Sequence, residues 1–165
     1  MSESSGESIN PGQGRKTVQR LIDSGRLQMV TSSRTHAERL LKQSHNHLTS
    51  AAKTAEEDPE GAYSALYDAA RKALVAVLEV QGLRPTSKGG HIVICEALQA
   101  QIDPPIGNVV PVFNRMRRSR NGQEYPELGE PELTTRDVLE DLEKSKTIVE
   151  VAQKLLGQFP VFWSP

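Results

Sequence analysis

The chain has 165 residues, with 20 Lys plus Arg against 21 Asp plus Glu, a formal net charge of −1 and a pI near 6.4. That balance excludes a generally basic nucleic-acid binder, so any grip on phosphate has to come from a local cluster of arginines. One cysteine, Cys95, excludes a disulfide framework and, beside four scattered histidines, a Cys-based zinc site, and no apolar run reaches the roughly 18 residues of a membrane span.

Residues 1–14, MSESSGESINPGQG, carry almost nothing apolar and are expected to be a disordered tail. They also lack the charged start and apolar stretch of a signal peptide, which with the lone cysteine points to a cytoplasmic setting. The folded domain is expected over 15–158. From Thr17, Val18, Leu21 and Ile22 recur at helical spacing up to Gly25, and Leu27 to Val30 is expected to add a further helical turn or two.

Ser33 is a suitable N-cap for a helix whose stripe Ala37, Leu40, Leu41, Ser44, Leu48, Ala51 and Ala55 repeats every three to four residues, to about Glu56. Next comes EEDPEGAYSALYDAARKALVAVLEVQGLRP, with Asp58 as cap, Pro59 at the first helical position, Gly82 as the stop and Pro85 beyond it. This helix is apolar nearly all round except for Asp68, Arg71, Lys72 and Glu79, which marks the centre of a bundle. A shorter helix is expected over Ile92 to Leu98, and the paired prolines of IDPPIGNVVP then break the chain.

The fifth helix is expected from about Asn108 to Glu124, and it contains the stretch FNRMRRSRNGQEYP, Phe113 to Pro126, with four arginines in six residues. At about 100° per residue Val109, Phe113, Met116 and Arg120 share one face, so Arg120 points toward packing and Arg117 and Arg118 more toward solvent. Such guanidiniums can grip phosphate through forked hydrogen bonds, or serve as intrachain ion pairs on a solvated helix face. Thr134 or Thr135 caps a last long helix bearing Val138, Leu142, Ile148, Val149 and Leu155, and 159–165 forms a C-terminal tail whose aromatics offer a docking contact. No run alternates as a strand, so the fold class is all-α, an antiparallel helical bundle of about five to six helices.

Three features, the Tyr-containing start of the Ala-rich helix with Ala70, Arg71 and Lys72, the GLRP…GGH connection, and the RN…EY element from Arg120 to Tyr125, together resemble the HEPN family (higher eukaryotes and prokaryotes nucleotide-binding domains), in particular its small actinobacterial-type members. The resemblance implies a bundle that often dimerises and, in ribonuclease members, a metal-independent RNA-cleaving site made by an Arg and, four to six residues on, a His. Carried over, Arg120 matches the Arg and Asn121 the polar residue after it, while Tyr125 stands where the His would be. A phenol with a pKa near 10 is a poor base at neutral pH, so Tyr125 argues against cleavage and for hydrogen bonding to phosphate or stacking on a base.

The site expected from this is Arg120, Asn121 and Tyr125 as the remnant of a catalytic motif, with Arg117, Arg118 and Arg120 binding RNA or a nucleotide. The function that follows is an RNA- or nucleotide-binding protein, a degenerate ribonuclease toxin of bacterial stress or defence; the alternative is a non-catalytic, antitoxin-like interaction and dimerisation module. A homodimer and a protein partner are expected, with no membrane, metal or cofactor. Of the histidines, His45 and His47 face different ways, His36 is expected to be exposed, and His91 is expected to cap or support a loop. Cys95, among Ile92, Val93, Ile94 and Leu98, reads as a buried, inert thiol.

Overall fold

A computed structural model describes residues 8–124 and 131–162. Among them six helices alternate with two short strands: α1 (Arg15–Asp23), β1 (Leu27–Met29), α2 (Arg34–Thr54), α3 (Pro59–Glu79), β2 (Leu83–Pro85), α4 (Ile92–Ile102), α5 (Val110–Glu124) and α6 (Thr135–Leu155). The helix starts obey local chemistry. Ser33 accepts from the His36 amide, Asp58 accepts from the Gly61 amide ahead of Pro59, and Thr134 and Asp137 form a reciprocal capping box.

The centre is α3, packed against α2, α6 and α5. Its Leu66, Tyr67, Ala70, Leu74 and Val77 are fully buried because they face neighbours on several sides, as its nearly unbroken apolar pattern requires. Small residues at Ala62, Ala69, Ala70 and Ala73 bring the neighbouring backbones close, and larger chains such as Tyr63, Leu66 and Phe113 fill the remaining space. Glu79, read from sequence as part of a polar strip, is instead 1% exposed.

Two further local expectations are corrected. Leu27 to Met29 is an antiparallel strand rather than a helical turn, pairing Leu27 with Pro85 and Met29 with Leu83. Three residues are too short to show alternation, and the partner lies more than fifty positions away, so only tertiary contact produces the strand. Gly82 at φ 75 makes the pairing possible: a Cβ there would stand 2.7 Å from the Val30 carbonyl oxygen. Residues 8–14, composed like a tail, are anchored: Ile9 is 5% exposed and its amide donates to Gln158 Oε1 at 3.0 Å, while Gln13 donates to the Pro104 carbonyl. Residues 1–7 lie outside the described part.

The C-terminal aromatics dock onto the bundle. Phe159 and Phe162 are buried, the Phe162 amide donates to the Gln81 carbonyl at 2.8 Å, and the Arg15 guanidinium sits over the Phe162 ring at 5.1 Å. None of the described helices is long and apolar enough to cross a membrane.

Candidate phosphate-binding site

The site is assembled where α3, α5 and the start of α4 meet. Phe113, Met116 and Arg120 follow one another at three and four residues along α5, so all three face α3. Phe113 and Met116 are fully buried, and the Phe113 ring stacks on Tyr67 with centroids 5.3 Å apart and planes 6° from parallel. One turn further on, the Arg120 guanidinium carbon lies 5.4 Å from the centre of the Tyr67 ring, within cation–π range.

Tyr67 is the hinge of the arrangement. It is fully buried, and its hydroxyl lies 2.7 Å from Nδ1 of His91. Burial pushes the phenol up to about 12 even though Arg71, Arg120 and Arg117 favour its anion, so it is protonated at neutral pH. A phenol donating to Nδ1 leaves the ring proton on Nε2.

His91 occupies the N-cap position of α4, but its side chain makes no capping hydrogen bond, so of the two expected roles, capping or supporting a loop, the capping one is absent. It is placed by the two preceding glycines: Gly89 packs so tightly on the Arg26 carbonyl that a Cβ would collide, and Gly90 adopts φ 59. Burial and then Arg71 and Arg120, with a smaller push from Arg117, lower the imidazole pKa, opposed by Asp68. Arg71 of α3 and Arg117 and Arg120 of α5 therefore all add positive potential at this ring, and Asp68, which accepts from Arg71 at 3.3 Å, only partly offsets them.

A depressed histidine has a stability signature. The folded pKa lies below the ordinary 6.5, so the unfolded chain takes up the proton first, and stability present above about pH 6.5 is lost as pH falls through the folded value. His47, lowered by burial and by Lys72, acts in the same direction. In denaturant titrations between pH 7.5 and 5, His91→Gln is expected to flatten part of the decline; an unchanged slope would show that His91 does not titrate in the folded protein.

The four arginines of the stretch divide. Arg115 is structural: it grips Asp141 through two hydrogen bonds of 2.8 and 3.1 Å, and Tyr63 donates to the same carboxylate at 2.7 Å. Arg117 donates to Asn114 Oδ1 at 2.9 and 3.1 Å and is half-buried. Arg118 is exposed and stands about 200° round the helix from Arg120, so the two do not address the same spot. Asn121 is half-buried, and Tyr125 lies outside the described residues.

The residues that sequence reasoning left out are Tyr67 and Arg71, and the pairing role of His91. Tyr67 and Arg71 are four apart and so on one helix face, which was a usable signal; the union of that face with His91 and Arg120 is tertiary. The other expectations for histidines hold in outline: His36 is exposed, and His47 Nε2 meets Lys72 Nζ at 2.8 Å while His45 faces Gln153. Cys95 is buried, and burial raises its thiol to about 11, so it is no nucleophile at neutral pH. Among the described residues no three His, Cys, Asp or Glu side chains gather into a metal site.

The family model for the HEPN domain matches residues 37–156, from the first turn of α2 to the end of α6. The chain belongs to the HEPN family. No curated protein and no solved structure matches it. The HEPN match begins after α1 and β1, which brace the site from outside: β1 pairs with β2, and Arg26 forms a forked ion pair with Glu96 of α4 at 2.6 and 3.0 Å. These added elements hold the GGH connection, and with it His91, against the HEPN core.

Proposed function

We propose that this HEPN protein binds RNA or a nucleotide through its phosphate, on the surface that Arg71, Arg117 and Arg120 make around His91. The observation that carries the reading is Arg120 seated over the Tyr67 ring whose hydroxyl meets His91, with Arg71 beside that histidine on the same groove wall. Guanidiniums with their forked donors suit phosphate oxygens, and clustered near one end of α4 they give a nearly neutral protein a local grip. Arg118 extends the positive surface without joining the cluster, and Asn121 and Tyr125 enter on the family resemblance alone. With Tyr125 at the expected His position, binding is favoured over metal-independent cleavage, and a cytoplasmic, toxin-type role in bacterial stress would follow from regulated binding of RNA.

Titration of a fluorescent single-stranded RNA at controlled salt tests this. Arg117→Ala is expected to weaken binding about tenfold and to lower the log–log salt slope by about 0.7, whereas the exposed Lys53→Ala changes little. Equal effects of the two variants would sink the proposal. A second reading, a non-catalytic dimerisation or interaction module, draws on Arg115: its guanidinium is taken up by Asp141, which also accepts from Tyr63, so part of the stretch serves packing.

A further inference from the structure

Tyr67 fixes one corner of the His91 ring and leaves the other to the surface. The phenol is fully buried and meets Nδ1 at 2.7 Å, so the open half of this half-buried side chain is its Nε2 side. None of the described residues hydrogen-bonds Nε2, and the nitrogen is not sealed from solvent. His91 borders a groove of about 430 Å³, and Arg71 lines the same groove. Arg71 stands one helical turn beyond Tyr67, and its bonds to Asp68 are 3.3 and 3.4 Å long, so its guanidinium can turn to a better acceptor.

The charged groups that face the ring come from two helices: Asp68 and Arg71 on α3, and Arg117 and Arg120 on α5. Other charges nearby are engaged elsewhere. Glu96 of α4 is held by Arg26, Lys88 donates to the Ser24 carbonyl, and Glu79, near His36 at the far part of the groove, is held by Arg84. Positive neighbours therefore outnumber negative ones at His91, and in the free protein they disfavour a further positive charge there. A phosphate brought between Arg71 and Nε2 supplies the missing negative charge. The Tyr67 contact does not stand in the way of protonation, because a hydroxyl both donates and accepts: it gives its hydrogen to Nδ1 of the neutral ring and receives one from Nδ1–H of the cation.

We propose that His91 is the proton-linked anion donor of the phosphate site: Nε2–H hydrogen-bonds a phosphate oxygen beside Arg71, and the ring takes up one proton from water when the phosphate binds. The inference rests on the phosphate-binding reading above and adds its regulation by pH. Linkage makes the effect reciprocal, since whatever factor the proton adds to phosphate affinity, the phosphate adds to proton affinity. Binding tightens as pH falls through the value at which His91 titrates in the complex, and levels off below the value at which it titrates in the free protein. Tyr67 acts as the positioning residue that keeps Nε2 on the groove side.

Titration of the full chain with a fluorescent oligo-U at constant ionic strength, from pH 7.5 to 5.5, tests this, because neither phosphodiester nor uracil changes charge in that window. The affinity is expected to rise roughly tenfold, which corresponds to a shift of about one pH unit in the His91 titration. His91→Gln should leave the affinity nearly flat with pH. His47, beside Lys72, is the competing source of a pH effect, and His47→Gln should keep the rise. On the unmodified chain, the His91 ring proton signals followed by NMR should titrate about one unit higher with saturating oligo-U than without it. An unchanged His91 midpoint, or the same pH dependence in His91→Gln as in the unmodified protein, overturns the proposal. If oligo-U binding is pH-independent yet lost in Arg117→Ala, only the proton linkage falls; if oligo-U does not bind at any pH, the phosphate-binding reading falls with it.

Discussion

Tyr67→Ala is expected to destabilise the protein by about 3–5 kcal/mol, the range for deleting a fully buried aromatic side chain. Four partners lose their support at once. Phe113 loses its stacked ring, Arg120 the face beneath its guanidinium, His91 its hydrogen-bond partner, and the junction of α3 and α5 its filling. Tyr67→Phe keeps the ring and removes only the hydroxyl, so it should cost about 1 kcal/mol. Urea midpoints for the two variants measure this, and comparable losses would mean that the hydroxyl rather than the ring stabilises the junction. In the RNA titration Tyr67→Phe separates roles further: if it weakens binding although the fold is intact, the phenol orients His91 rather than merely filling space.

The second large effect is expected at Asp141. Asp141→Ala should cost about 2–4 kcal/mol, because it strands the buried Tyr63 hydroxyl and takes away the acceptor of Arg115. The range is set below that of a fully buried pair because the Arg115 side chain is 43% exposed and can turn to water. Replacing Tyr63 by Phe in the same protein should restore about 1 kcal/mol, since no phenol is then left without an acceptor. Strictly additive losses in this double-mutant cycle would rule out the coupling. Burial acts to raise the Asp141 pKa, but the hydrogen bonds from Arg115 and Tyr63 outweigh it and hold the carboxyl below its ordinary value of 3.8. Its contribution is therefore present above about pH 4 and lost as pH falls through the folded value, a decline that Asp141→Ala should abolish.

The two experiments address opposite ends of the same arginine-rich helix. Arg115 and Arg120 are five residues apart, which on a helix is about 140° of rotation, enough to send one to α6 and the other to α3. A charge run that looks uniform thus splits into a structural arginine and one that belongs to the site. Composition offers no way to tell them apart, because the carboxylate that claims Arg115 lies on another helix, 26 positions away.

Much of the architecture was legible in the residues. Caps at Ser33, Asp58 and Thr134, the breadth of apolar surface on α3, and the stripe Val109, Phe113, Met116 and Arg120 are local or periodic signals, and they dictated the helices and the inward aim of Arg120. The HEPN resemblance was legible too, in the Tyr-containing helix, the GLRP…GGH connection and the RN…EY element, and the family match over 37–156 bears it out. Partners distant in sequence were not. The β1–β2 pairing, the burial of Ile9, Phe162 and Glu79, and the meeting of Tyr67, His91, Arg71 and Arg120 all depend on how the segments pack. The sequence by itself determined the helices, their inward faces and the family; only the tertiary structure decided which charged side chains are spent on the core and which converge on His91, because that depends on contacts between segments no periodic pattern connects.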